Sequence, residues 1–165
     1  MSKRRNHRKE SFLNSIPTAS LDSKEDRLAL KCKFNFSYID TTQAPPGQVF
    51  RDMTHEQLCS LMEKLKNFGK DSLKHWATQR IGGGGLRVFS IYGNFPKRSD
   101  FAHPAHVPHQ ANWARFRLEG DLRLVGFIVP NSYHGTVCKH TKERFDENTF
   151  YVVFIDPNHN FYKTK

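Results

Sequence analysis

The stretch from Trp113 to Val129 constrains the fold more than any other part of the chain. Trp113, Arg115 and Arg117 alternate with Ala114, Phe116 and Leu118, the period of two that sends successive side chains to opposite faces of a strand. Glu119-Gly120-Asp121 has the residues of a tight turn, and Leu122 to Val129 reads as the returning strand. A third strand is expected at Thr149 to Ile155, a nearly continuous apolar run of the kind buried on both faces, ended by Asp156-Pro157-Asn158. Earlier, Cys32, Phe34, Phe36 and Tyr38 alternate with polar residues between Lys31 and Asp40, and the proline- and glycine-containing run from Thr41 to Gly47 cannot continue that strand.

Between these strands the period changes. Thr54 and Gln57 have the spacing of a capping box, and Leu58, Leu61, Met62 and Leu65 form one apolar helical stripe that is expected in the core. Gly69 suits the end of that helix. Asp71 or Ser72 can cap a second, short helix in which Leu73, Trp76 and Ala77 face inward. Gly82 to Gly85 is a turn or hinge, because it lacks the Gly-Lys-Ser/Thr ending of a phosphate-cradling loop. Leu86 to Tyr92 forms a further short strand, and residues 93–112 form a long irregular loop, of the length that is either functional or mobile. The expected fold class is α+β: an antiparallel sheet with two helices packed on one face, in a single domain over 28–165. Residues 1–27 lack periodicity, carry Lys3, Arg4, Arg5, Arg8 and Lys9, and read as a flexible basic arm.

Lys and Arg number 26 against 16 Asp and Glu, giving a formal charge of +10 and a positive field that concentrates phosphate polymers. The three cysteines, Cys32, Cys59 and Cys138, have no paired spacing, so a disulfide scaffold or cysteine-rich zinc site is not expected and a reducing cytoplasm is. No run approaches the roughly 20 apolar residues that cross a bilayer, and no secretory leader is evident, so no membrane partner is expected.

Three groups of residues have chemistry to offer. Arg115 and Arg117 share a strand face with Arg123 on the return; two readings fit, a sheet face holding a phosphate and arginines on a wet face. His159, Tyr162 and Lys163 follow the last strand. They bring a group titrating near neutrality, a proton donor and a counter-charge, the parts that metal-free RNA cleavage requires, and equally the parts of a simple chain end. Lys97 and Arg98 in the long loop are additional phosphate contacts. His103, His106 and His109, with Cys138 and His140, could furnish zinc ligands, but Pro104 and Pro108 keep the segment extended and space the rings badly for one ion; no metal and no cofactor is expected.

Arg115-Phe116-Arg117, Gly120-Asp121, Arg123-Leu124-Val125, then Phe150 to Ile155, His159 and Tyr162, together resemble the RelE/ParE toxin superfamily. The resemblance covers roughly residues 31–40, 54–80 and 113–162. It implies a RelE-like fold and a toxin of a toxin–antitoxin system: a metal-independent endoribonuclease that cleaves RNA by attack of the 2′-hydroxyl on phosphate. It further implies Arg115 and Arg117 as phosphate contacts and His159 and Tyr162 as the acid/base pair; the expected catalytic set is therefore His159, Tyr162 and Arg117, and the expected phosphate-binding set is Arg115, Arg123, Lys97, Arg98 and Lys163. Its partners would be mRNA, free or on the ribosome, and an antitoxin protein. A non-catalytic RNA-binding protein and a ParE-like binder of a protein target are the alternatives.

Overall fold

The computed structural model describes residues 6–163. A five-stranded sheet runs in the order β1 (Lys33–Asn35), β7 (Thr149–Asp156), β6 (Arg123–Ile128), β5 (Asn112–Arg117), β4 (Phe89–Gly93). The hairpin pattern becomes register, with Phe116 opposite Leu124 and Arg117 opposite Arg123. Its turn depends on Gly120, whose φ of +51° lies in the left-handed region that glycine enters at little cost. All pairings are antiparallel except that of β1, which lies parallel to β7 along the edge. Separately, β2 (Arg80–Ile81) and β3 (Leu86–Arg87) form a small ribbon around the glycine run.

Two helices cover one face of the sheet, so the fold class is α+β as expected. Helix α2 (His55–Phe68) starts with the full capping box of Thr54 and Gln57, and α3 (Leu73–Thr78) is capped by the Ser72 hydroxyl. Leu61, Leu65, Phe68 and Leu73 pack against Phe89, Phe116, Leu124 and Phe150. The stripe of α2 differs from the expected one, because the sheet meets the helix along Leu61, Leu65 and Phe68. Met62 lies one residue round the helix from Leu61 and is 63% exposed.

The first strand is also shorter than the alternation from Lys31 to Asp40 suggests. Asn35 Oδ1 accepts the Ser37 N–H at 2.9 Å and bends the chain, so Tyr38 crosses to the opposite face and packs edge-on against Phe127 and Tyr151. The N-terminal region holds a helix the sequence reading lacks, α1 (His7–Ser15), which includes Arg8 and Lys9. It is capped by Asn6 and buries no residue, so local capping rather than periodicity forms it. Lys3, Arg4 and Arg5 lie outside the described residues.

The second sheet face is not wet. The loop between β4 and β5 lies across it, bringing Phe101, Val107 and Ala111 onto Trp113, Val125, Phe127 and Phe154, with Phe161 from the chain end. Gln43 pins this loop through two hydrogen bonds with Ala102, of 2.7 and 3.0 Å, and His106 Nε2 lies 3.0 Å from the Tyr38 carbonyl oxygen. His103 stacks on His109 and His106 on Tyr38, and both His106 and His109 are exposed. Among the described residues no group of three or more His, Cys, Asp or Glu side chains is arranged to hold a metal ion, and no helix is long and apolar enough to cross a membrane.

Gly126 marks where the sheet is tightest. A Cβ there would sit 2.0 Å from the Tyr151 carbonyl oxygen, next to a register shift between Val125 and Gly126. Backbone cannot yield that distance, so Gly126→Ala is expected to destabilise the protein by about 3 kcal/mol, read as a lower urea midpoint at unchanged slope.

Candidate functional site

The half of the second face not covered by aromatic rings carries arginine. Arg115, Arg117 and Arg123 project from it because they occupy alternating positions on β5 and the paired position on β6. Two of them are not solvent-facing, since Arg115 is 9% exposed and Arg123 only 2%, and Arg117 is half-buried. Arg123 Nη1 donates to the carbonyl oxygens of Gly120 at 2.7 Å and Leu122 at 2.9 Å, tying the guanidinium to its own turn. Arg115 Nε donates to the Tyr92 hydroxyl at 2.7 Å. Tyr92 reaches that position because β4 shifts register against β5 between Ile91 and Gly93, which makes it the unpaired residue of a bulge.

His159 is brought to the same cluster by Asp156. This wholly buried carboxylate accepts three backbone N–H groups, those of Asn158 at 3.3 Å, Asn160 at 2.9 Å and Phe161 at 2.8 Å. The chain after β7 is thereby folded back onto the sheet rather than left as an exposed end. His159 adopts φ +56°, a left-handed conformation uncommon outside glycine, which the surrounding bonds hold in place. The stretch then lays Phe161 into the aromatic core and Tyr162 flat on Tyr92, with ring centroids 4.6 Å apart and planes 1° from parallel.

The convergence has electrostatic consequences. Burial first, then the guanidinium groups of Arg123 and Arg115, hold the His159 imidazole below the ordinary histidine value, against the pull of Asp156. Burial, then Arg117 and Arg115, brings Arg123 down to about 10. Arg117 is lowered by burial and by Arg115, and burial raises Tyr92. Two carboxylates stand near: Asp156, committed to the turn, and Asp121, exposed and 4.0 Å from Arg123 Nη2.

Among the described residues, four buried side-chain polar atoms lack a hydrogen-bond partner in the protein: Arg115 Nη1, Arg117 Nε, Arg123 Nε and His159 Nε2. All four belong to this one cluster. Native folds leave few such atoms, and each costs about 1–3 kcal/mol when unsatisfied. Three of the four are guanidinium donors, and the fourth is a ring nitrogen that accepts when the imidazole is neutral at that position.

Of the residues singled out from sequence, Arg115, Arg117, Arg123 and His159 thus lie together, and Tyr162 joins them through Tyr92. Lys97, Arg98 and Lys163 do not join the cluster but line a separate depression together with Tyr162. Sequence reasoning passed over Tyr92 and Asp156. Tyr92 carries no local signal, since a bulge aims it; Asp156-Pro157-Asn158 reads as a strand end, and only the count of N–H groups converging on Asp156 shows more. Comparison with known proteins finds no matching family model, curated protein or solved structure.

Asp156→Ala removes the acceptor of three N–H groups and is expected to destabilise the protein by about 3 kcal/mol or more. Chemical denaturation measures that loss, and hydrogen exchange should show the Asn160 and Phe161 amides exchanging faster than those of β6.

Proposed function

We propose that this protein is a metal-independent endoribonuclease whose arginine cluster holds the scissile phosphate of RNA. The observation that carries the reading is the set of four buried nitrogens without a protein partner, contributed by Arg115, Arg117, Arg123 and His159. An anion bound there accepts from the three guanidinium nitrogens, while the 2′-hydroxyl donates to His159 Nε2, and the anion is met by charges that grow in value as the phosphate gains charge in the transition state. Beside it stands a histidine held neutral at pH 7, as a general base must be.

In the proposed step His159 Nε2 takes the proton of the 2′-hydroxyl and the 2′-oxygen forms a bond to phosphorus. Arg115, Arg117 and Arg123 stabilise the added negative charge. The bond from phosphorus to the 5′-oxygen breaks, and the leaving oxygen takes a proton from the tyrosine pair of Tyr92 and Tyr162. Tyr92 suits this role because burial keeps its hydroxyl protonated, while its oxygen accepts from Arg115 and leaves its own hydrogen uncommitted. The products are a 2′,3′-cyclic phosphate and a 5′-hydroxyl. The reading agrees with the RelE-like resemblance of the same residues, and with it come mRNA and an antitoxin as proposed partners.

The test is cleavage of RNA in EDTA, with and without ribosomes. Wild type is expected to cleave in at least one setting, and Arg117→Ala, His159→Ala to lose at least about a hundredfold in rate, the share of a general base. Equal persistence of RNA with wild type and variant in both settings ends the enzymatic reading; retained, salt-sensitive binding would then leave a non-catalytic RNA-binding protein. The pH profile is a separate check. Because the base must be unprotonated and its pKa is depressed, kcat/KM should rise with pH through a midpoint below the usual histidine value of 6.5 and then level off.

A further inference from the structure

The depression beyond Tyr162 has a volume of about 300 Å³ and is lined by Pro96, Lys97, Arg98, Tyr162 and Lys163. Its two walls come from distant parts of the chain and are stitched together. The Lys163 N–H donates to the Arg98 carbonyl oxygen at 3.2 Å, and the Asp100 N–H to that of Asn160 at 3.1 Å. Lys163 Nζ is paired with Asp100 at 2.6 Å, whereas the Lys97 and Arg98 side chains are exposed and have no carboxylate partner among the described residues.

Tyr162 lines this pocket and is linked through Tyr92 to the arginine cluster. It is stacked on Tyr92, whose hydroxyl is bonded to Arg115, and is still 39% exposed. The chain of contacts therefore runs from largely buried guanidinium groups through a pair of parallel aromatic rings to a second cationic pocket. Cations alone would suit any polyanion. An aromatic ring placed between two cationic sites matches the alternation of phosphate and base in a nucleic-acid strand, since base stacking on such a ring contributes about 1–3 kcal/mol and needs an unpaired base. Carboxylate side chains have nothing to place on the ring, and a duplex keeps its bases stacked on one another.

We infer that Lys97, Arg98 and Lys163 form a second phosphate subsite next to the arginine cluster, with Tyr162 stacking on the base between, so that the ligand is single-stranded and held over at least two consecutive phosphates. The inference rests on the proposal that the arginine cluster holds a phosphate, but not on cleavage.

The probes are oligonucleotides of 2′-deoxyribose, which lack the attacking hydroxyl and cannot be cleaved: a dinucleotide with one phosphate and a trinucleotide with two, bound to the full chain at low salt. Wild type is expected to bind the two-phosphate probe about tenfold more tightly, and Lys97→Ala, Arg98→Ala to reduce that advantage to about twofold. Tyr162→Ala should lose the preference for a base over an abasic residue at the central position, and Tyr162→Phe should keep it. Unchanged melting temperatures establish that the variants fold. An equal two-phosphate advantage in wild type and the double variant overturns the inference. So does displacement of the probe by an oligoglutamate of the same charge as effective as that by the unlabelled trinucleotide, which would identify an acidic protein partner instead. Because the probes are inert, failure of RNA cleavage and failure of this subsite are read separately.

Discussion

Three N–H groups converging on one buried carboxylate organise this molecule's second half. Without Asp156 the chain beyond β7 has no reason to turn back, since Pro157 ends the strand and the residues after it are largely polar. With it, Phe161 reaches the core beside Trp113 and Phe154, the loop over the second face gains a backbone partner at Asn160, and His159 and Tyr162 arrive at the arginines. A side-chain cap of this kind sets geometry far more sharply than apolar packing does, because its acceptors are directional. Fold and candidate site are coupled through it: the turn that closes the hydrophobic face also delivers the histidine.

The face where this happens is divided. Aromatic rings and the long loop exclude water from the half around Trp113, and guanidinium groups fill the half around Arg123. The dry half matters to the charged one, because donors next to a low-dielectric wall interact more strongly with an anion than they would in water.

The sheet and its covering helices were legible because their signals are local and periodic: the alternation from Trp113 to Leu118, the apolar run into Ile155, and the box of Thr54 and Gln57. The arginines and the histidine could be named from spacing alone. Their burial could not, since period two distinguishes the faces of a strand but says nothing of what covers each face. That depended on residues 94–111, whose path is set by single long-range bonds such as Gln43 to Ala102 rather than by any repeat. For the same reason Tyr92 stayed hidden: its position follows from a one-residue irregularity between two strands. The parallel edge strand and the exposure of Met62 are likewise matters of how elements meet, which no window of sequence contains.

Arg123 has a consequence for how such a protein can change over time. A long apolar side chain, Met or Leu, would fill much of the same space between β5, β6 and the chain end without a desolvated charge and without repelling Arg117. Substitutions of that kind in other folds are neutral or stabilising. Drift under selection for stability alone would therefore tend to erase Arg123, and this chain retains a locally frustrated interior, the sort of departure from the stability optimum that concentrates where a surface is used. Laboratory evolution for thermostability with no selection on ligand binding offers a reading of that tension, for Arg123 would be among the first interior positions to turn apolar.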